Sequence, residues 1–247
     1  MYYYLYDSYL TDKKYINTLA KTETKLTDMG INGKINRLSF LKNIPQILKE
    51  EVNQGVKTIV VVGNDRTFSQ IINIAIDLNV VLAYIPIGQP DNIAKILGIP
   101  QGEEACHILS SRIIDKLDIA EVNDNNYFLT ALEFCGDHTT INCDDSYFIN
   151  MEHKNNLITV NNLAAKNKSI NGTNQGQLTL VICSRQKKLF KLKENFSVFK
   201  CQKLKITSPQ SIPAVMVDEK KIIKTPLEIK ILREKIKVIV GKKRLYN

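Results

Sequence analysis

The pattern of apolar and polar positions changes character once along the chain. Up to about residue 116, short continuous apolar runs alternate with stretches whose apolar residues recur every three or four positions. Residues 2–6 are a short aromatic run and read as a first strand. Residues 14–29 place Ile16, Leu19, Leu26 and Met29 near helical spacing, with Gly30 as the stop. Residues 39–54 repeat that pattern, with Ile44, Ile47, Leu48 and Val52 on one face, Pro45 in the first turn and Gly55 beyond the end. Residues 58–62, Thr-Ile-Val-Val-Val, are β-branched and uninterrupted, as a parallel strand covered on both faces should be. A helix over 67–78, a buried strand over 80–85 and a short helix over 91–97, stopped by Gly98 and Pro100, complete the series. Alternating strands and helices predict a mainly parallel sheet with helices on both sides.

Beyond residue 116 the helical spacing gives way to short strands and polar turns. Strands are predicted at 116–122, 127–134, 146–151, 157–160, 177–184, 196–201, 203–207, 214–217, 227–232 and 236–240. Asn125-Asn126 and residues 152–156 are hairpin signals, and 161–175 reads as a polar loop. The expected organisation is an α/β, Rossmann-like nucleotide-binding domain over 1–116 and an all-β, sandwich-like substrate domain over 117–247.

Composition agrees with that division. A chain of 247 residues with 44% hydrophobic content can bury two modest cores. The net charge of +9 is unevenly spread: residues 185–247 carry 18 Lys and Arg against 5 Asp and Glu, a net of +13, and residues 1–184 carry a net of −4. Such a basic third suits an anionic partner, whether nucleic acid, lipid or phosphorylated substrate, or simply a solvated lysine-rich surface. No aromatic or motif support accompanies a nucleic-acid reading. The five cysteines are scattered and form no C-x-x-C pair, which fits a reducing cytosol better than a disulfide or zinc framework. No run approaches the ~20 apolar residues of a spanning helix, so a cytoplasmic protein with at most peripheral membrane contact is expected.

The chemistry concentrates in residues 60–67, Val-Val-Val-Gly-Asn-Asp-Arg-Thr, where a buried strand ends in Gly-x-Asp-x-Thr and a helix begins. Such a turn presents backbone N–H groups and the positive end of a helix dipole, which suits a phosphate. An Asp there can hold a metal ion. The plain structural alternative is that Asp65 or Thr67 caps the helix. One strand–helix unit later comes Ile85-Pro-Ile-Gly-Gln-Pro-Asp-Asn-Ile-Ala-Lys-Ile-Leu-Gly-Ile-Pro100. Together the two segments resemble the diacylglycerol kinase-like lipid kinase catalytic domain. That family has Gly-Gly-Asp-Gly-Thr after a Val-rich strand, then Pro-Leu-Gly-Thr-Gly-Asn-Asp-Phe-Ala and Leu-Gly-Ile-Pro. Gly63, Asp65 and Thr67 match the first motif; Pro86, Gly88, Ala94 and Leu97-Gly98-Ile99-Pro100 match the second. Farther on, Asp118-Ile-Ala with Tyr127-Phe128, residues 175–181 and residues 216–220 resemble the family's second domain.

The resemblance implies ATP and Mg2+ as cofactors and a lipid such as diacylglycerol as substrate. ATP phosphates would lie on the 63–67 turn and magnesium on Asp65. The nucleotide-binding residues would be Gly63, Asn64, Arg66, Thr67, Gly88, Asp91 and Asn92, and Asp65 and Glu219 would be catalytic. A homodimer is left open. Asn64 and Arg66 replace two glycines of the first motif; Gln89-Pro90 replaces Thr-Gly of the second, and Asp91-Asn92 inverts Asn-Asp. Lys220 stands at the family's catalytic Glu, with Glu219 one residue earlier, and Asn174-Gln175 stand at its acidic metal-binding pair. The alternatives are a non-catalytic nucleotide- or lipid-binding pseudokinase and a kinase acting on a soluble nucleotide, as NAD kinases do.

Overall fold

The computed structural model describes residues 1–39, 43–136, 138–151, 156–164, 176–188 and 191–246. The hairpin signal at 152–156 and the loop at 161–175, with Asn174-Gln175, fall largely or wholly outside them. The chain divides into two compact units. The first comprises residues 1–117 and 234–245, and the second 118–233 with the last two residues. The stretch 234–245, expected in the β domain, therefore returns to the α/β unit.

The first unit contains β1 (Tyr2–Tyr6), α1 (Lys13–Asp28), β2 (Gly33–Arg37), α2 (Ile44–Asn53), β3 (Thr58–Gly63), α3 (Asp65–Ala75), β4 (Val81–Pro86), α4 (Asn92–Ile96) and α5 (Ala105–Ser111). The parallel strands lie in the order β2-β1-β3-β4. Beyond β4 lies the end of a late strand, with Lys237 opposite Val81 and Val238 opposite Leu82 in parallel. Every residue of β3 is buried, which explains its unbroken β-branched run. Phe68, Ile71, Ile72 and Ala75 of α3 pack inward as their spacing predicts. Pro45 falls within the first two positions of α2, and Asn43 caps that helix through its side chain. Because β1 connects to β2 on one side and β3 lies on the other, the strand order reverses between β1 and β3. In open α/β sheets ligands bind outside the carboxyl ends of the strands at such a reversal.

The second unit is all β. Chain continuity brings β5 (Ile114–Val122) into it, followed by β6 (Asn126–Phe128), β7 (Ala131–Gly136), β8 (Thr139–Cys143), β9 (Tyr147–Met151) and β10 (Asn156–Asn161). Then come β11 (Leu178–Lys188), β12 (Lys191–Cys201), β13 (Lys203–Thr207), β14 (Pro213–Met216), β15 (Lys221–Lys224) and β16 (Leu227–Ile239), whose far end is the strand beside β4. One layer of this unit runs β16-β13-β8-β9; the other is antiparallel in the order β12-β11-β10-β7-β14-β15. Leu132, Phe134, Ile158, Val160, Leu178, Leu180 and Ile182 from one layer meet Ile141, Cys143, Leu204, Ile206, Leu227 and Ile229 from the other in a single buried core. That is the expected sandwich.

Three local differences from the sequence reading have identifiable causes. The strand expected over 127–134 is two strands, because the Asp218 carboxylate accepts the amides of Leu129 and Thr130, both at 2.9 Å, and removes them from the ladder. The strands expected at 227–232 and 236–240 are one, β16, which passes through Glu234 at φ 47°. Strands β2 and β15 are mostly exposed, and β8, Thr-Thr-Ile-Asn-Cys, alternates in burial but carries too few apolar residues to announce a strand.

Candidate active site

Strand β3 ends at Gly63, and the turn into α3 is closed by side chains. Asn64 is the N-cap: its Oδ1 accepts the amides of Arg66 at 3.1 Å and Thr67 at 3.3 Å, and its Nδ2 donates to the Gln89 carbonyl. Its backbone is extended, φ −109° and ψ 179°, the ordinary geometry of an N-cap. Neither Asp65 nor Thr67 is the cap. The Asp65 amide donates to the Pro90 carbonyl at 2.9 Å, so the second motif's substituted segment is tied to the first.

Asp65 is 3% exposed. Its Oδ1 accepts from the Tyr84 hydroxyl at 3.1 Å and its Oδ2 from the Ile93 amide at 2.9 Å. The carboxylate thus joins α3, β4 and the start of α4. Burial, and then the charge and hydrogen bond of Asp65, push the Tyr84 hydroxyl far above the ordinary tyrosine range, so it remains a donor. Arg66 is exposed.

Thr67 points across the reversal of strand order. Its hydroxyl donates to Oδ2 of Asp7, the first residue after β1, and Asp7 Oδ1 accepts the Tyr9 amide at 3.2 Å. Asp7 was not among the expected site residues. Its only signal in the sequence is its place just after a parallel strand, which acquires meaning once the strand order is known. Asp7 is half-buried and, with Ser8, Leu38, Ile44, Gln70 and Ile71, lines a cavity of about 320 Å3 in the first unit. Gly63 keeps this approach close: a Cβ would lie 3.0 Å from Thr67 Oγ1 and 3.2 Å from the Asp7 Cβ, so those side chains would have to give way slightly.

Gly88 adopts φ +90°, and a Cβ would meet the Tyr15 ring at 3.0–3.2 Å. Tyr15 packs edge-on against Tyr9, whose hydroxyl donates to the Ile87 carbonyl. Asp91 is buried and bound to Lys95 Nζ at 2.7 Å and Gln101 Nε2 at 2.8 Å. Burial raises its pKa, but those hydrogen bonds and the Lys95 charge outweigh it and hold the carboxyl below its usual 3.8. Asn92 is exposed. Gly63, Asn64, Asp65, Thr67, Gly88 and Asp91 thus form one connected network in the first unit.

Glu219 belongs to the second unit. It lies half-buried in the turn between β14 and β15, followed by exposed Lys220 at φ 56°. The dominant carboxylate of that turn is its neighbour Asp218, 5% exposed, which also accepts the Thr130 hydroxyl. Burial pushes the Asp218 carboxyl up, against the opposing pull of the hydrogen bonds from Thr130 and Leu129. Among the described residues no three His, Cys, Asp or Glu side chains converge as a metal cage. Magnesium is ordinarily held by one or two carboxylates together with substrate phosphates. The carboxylates at the 63–67 turn are Asp65, inside it, and Asp7, which meets it through Thr67. Among the described residues no helix is long and apolar enough to cross a membrane.

Residues 4–122 match the family model of the diacylglycerol kinase catalytic domain. That match spans just under half of the chain and makes residues 4–122 similar to the diacylglycerol kinase catalytic domain. Among solved structures, the crystal structure of a diacylglycerol kinase from Bacillus anthracis str. Sterne is similar at TM-score 0.76 and 18% identity, over 98% of this chain and 97% of that one. A second structure from Bacillus anthracis str. Sterne, bearing a provisional diacylglycerol kinase assignment, is similar at TM-score 0.78 and 16% identity, over 98% of each chain. Comparison with curated protein sequences finds no match.

Proposed function

We propose that this chain transfers the terminal phosphoryl group of ATP to a lipid hydroxyl, with diacylglycerol as the model acceptor. The observation that carries the reading is the 63–67 turn: it stands at the reversal of strand order, with Asp65 inside it and Asp7 across it, in a chain whose residues 4–122 match the diacylglycerol kinase catalytic domain. Positioning and electrostatics supply most of the catalysis in phosphoryl transfer. Asp7 and Asp65 are the residues that would hold magnesium, which offsets phosphate charge when bound. The start of α3 would receive the phosphates, and Arg66 adds a planar cationic fork beside them. Glu219 is the proposed acceptor of the lipid hydroxyl proton.

One observation favours a second reading, nucleotide or lipid binding without transfer. The amides of Asp65, Arg66 and Thr67 already have internal acceptors, so phosphates would have to displace Asn64 Oδ1. The test is incubation with magnesium, radiolabelled ATP and diacylglycerol in mixed micelles. Labelled phosphatidate, absent with Asp65→Ala, is the expected result. ATP binding with no labelled lipid would establish the second reading instead.

A further inference from the structure

The second unit has a cavity of its own, where the chain crosses twice between the two layers of the sandwich. The turn after β7 carries His138 and leads into β8, and residues 208–213 lead from β13 into β14. Ser208 Oγ donates to the His138 carbonyl at 3.5 Å, which ties the two crossings together. Thr225 holds the second crossing from its other side. Its Oγ1 accepts the Ile212 amide at 2.9 Å, and its own amide donates to the Ile212 carbonyl at 3.0 Å. The cavity measures about 500 Å3, and its lining includes Cys135, His138, Ser208, Ser211, Ile212 and Pro213. It is larger than the cavity beside Asp7 and falls within the ~300–1,000 Å3 that small organic ligands occupy.

One wall of this cavity is nucleophilic. Phe134 points into the core, so Cys135 takes the opposite face of β7. Ala214 stands opposite Phe134, which brings Pro213 beside Cys135, and exposed Lys224 stands opposite Pro213. Lys224 is thus two strands from Cys135, about 10 Å across the sheet. Of the five free cysteines, four are buried and Cys135 is exposed. Exposure alone would make it an ordinary surface thiol. What sets Cys135 apart is that it shares a cavity with a histidine, two serine hydroxyls and apolar walls, with a cation at the margin. A small uncharged reagent would use the thiol and nothing else. The carboxylates and amides of a peptide would also engage His138, the two serines and Lys224.

We propose that this cavity is a thiol-exchange site for the oxidised form of a carboxylate-bearing peptide thiol of the glutathione class. The Cys135 thiolate attacks one sulfur of the incoming disulfide. A new S–S bond joins Cys135 to one half of it, the old S–S bond breaks, and the other half leaves as a thiolate. The proton that Cys135 gives up balances the one the leaving thiolate takes. Cys135 is thereby oxidised and one peptide thiol is reduced, with no further oxidant. The cavity belongs wholly to the second unit, and the proposal does not depend on the lipid-kinase reading.

The experiment treats the full chain with oxidised glutathione and, separately, with the uncharged bis(2-hydroxyethyl) disulfide. Intact mass spectrometry and peptide mapping follow the reaction. One glutathionyl group on Cys135, removed by dithiothreitol and absent in Cys135→Ser, is the expected product. Lys224→Gln should slow the reaction with oxidised glutathione about three-fold, the range of a lost exposed charge contact, and leave the uncharged disulfide unaffected. Ser211→Phe fills the cavity and should slow oxidised glutathione about ten-fold, with a much smaller effect on the smaller disulfide. Circular dichroism of each variant guards against unfolding. If the folded variants treat the two disulfides alike, whether slowed or not, Cys135 is a surface thiol only and the proposal is overturned. Modification of Cys106, Cys143, Cys183 or Cys201 ahead of Cys135, or no mixed disulfide at all, would overturn it equally.

Discussion

Asp65 and Asp218 are both buried aspartates at the end of a strand, and each gathers donors from elements distant in sequence. Asp65 takes the Ile93 amide and the Tyr84 hydroxyl; Asp218 takes the Leu129 and Thr130 amides and the Thr130 hydroxyl. What separates them is their setting. Asp65 opens a helix at the carboxyl end of a parallel sheet, one residue from Arg66 and across the turn from Asp7 and a cavity. Asp218 closes a hairpin in which every donor bonded to it interrupts or completes the β framework. The same side chain with similar partners is a candidate for chemistry in one place and a fastening in the other. A motif in one dimension does not distinguish them, which is why Glu219 drew attention in the sequence and Asp218 did not.

The largest effect that would sharpen this contrast is Asp65→Ala. Phosphotransfer should fall at least ~10^3-fold, about 4 kcal/mol of transition-state stabilisation. Thermal unfolding should fall too, because Ile93 N–H and the Tyr84 hydroxyl lose their acceptor. Asp218→Ala should cost about 3 kcal/mol in urea unfolding, by stranding three donors, and leave ATP affinity unchanged. A loss of ATP affinity there with stability intact would reverse the roles of the two residues. Glu219→Gln should lower kcat about 10^2-fold without moving the unfolding midpoint, the range of a lost general base. The smallest effect is that of Asp91. Its pKa is depressed in the folded chain, so its contribution is present above the unfolded value and is lost as pH falls through the folded one. Asp91→Asn should therefore cost about 1 kcal/mol at neutral pH and nothing once acid has protonated the wild type well below pH 3.8, as read by unfolding across pH.

Much of the α/β half was legible because its elements bury continuous apolar faces. Residues 58–62 and 80–85 fall within one residue of β3 and β4, and the apolar spacing of α1 to α3 set those helices. In the β half, strands with a strong inward face were found, and β13 has the predicted bounds. The strands that escaped are exposed, short or charged, so their pairing comes from neighbours rather than from their own pattern. At the site, Gly63, Asp65, Thr67 and Gly88 were visible as a turn chemistry. The partners that define it, Asp7, Tyr15 and Tyr84, depend on strand order and on packing across distant segments. Asn64 illustrates the limit: in sequence it is a replacement for one of the motif's glycines, and only the structure reveals it as the side-chain cap of the helix.

The most direct measurement is a crystal structure of the protein with magnesium and a non-hydrolysable ATP analogue. The β- and γ-phosphates should rest on the amides of Arg66 and Thr67, with Asn64 Oδ1 withdrawn from them and a metal ion between the phosphates and Asp65 or Asp7. A turn that keeps its Asn64 cap while nucleotide binds elsewhere, or fails to bind at millimolar concentration, would contradict phosphate capture at the end of β3.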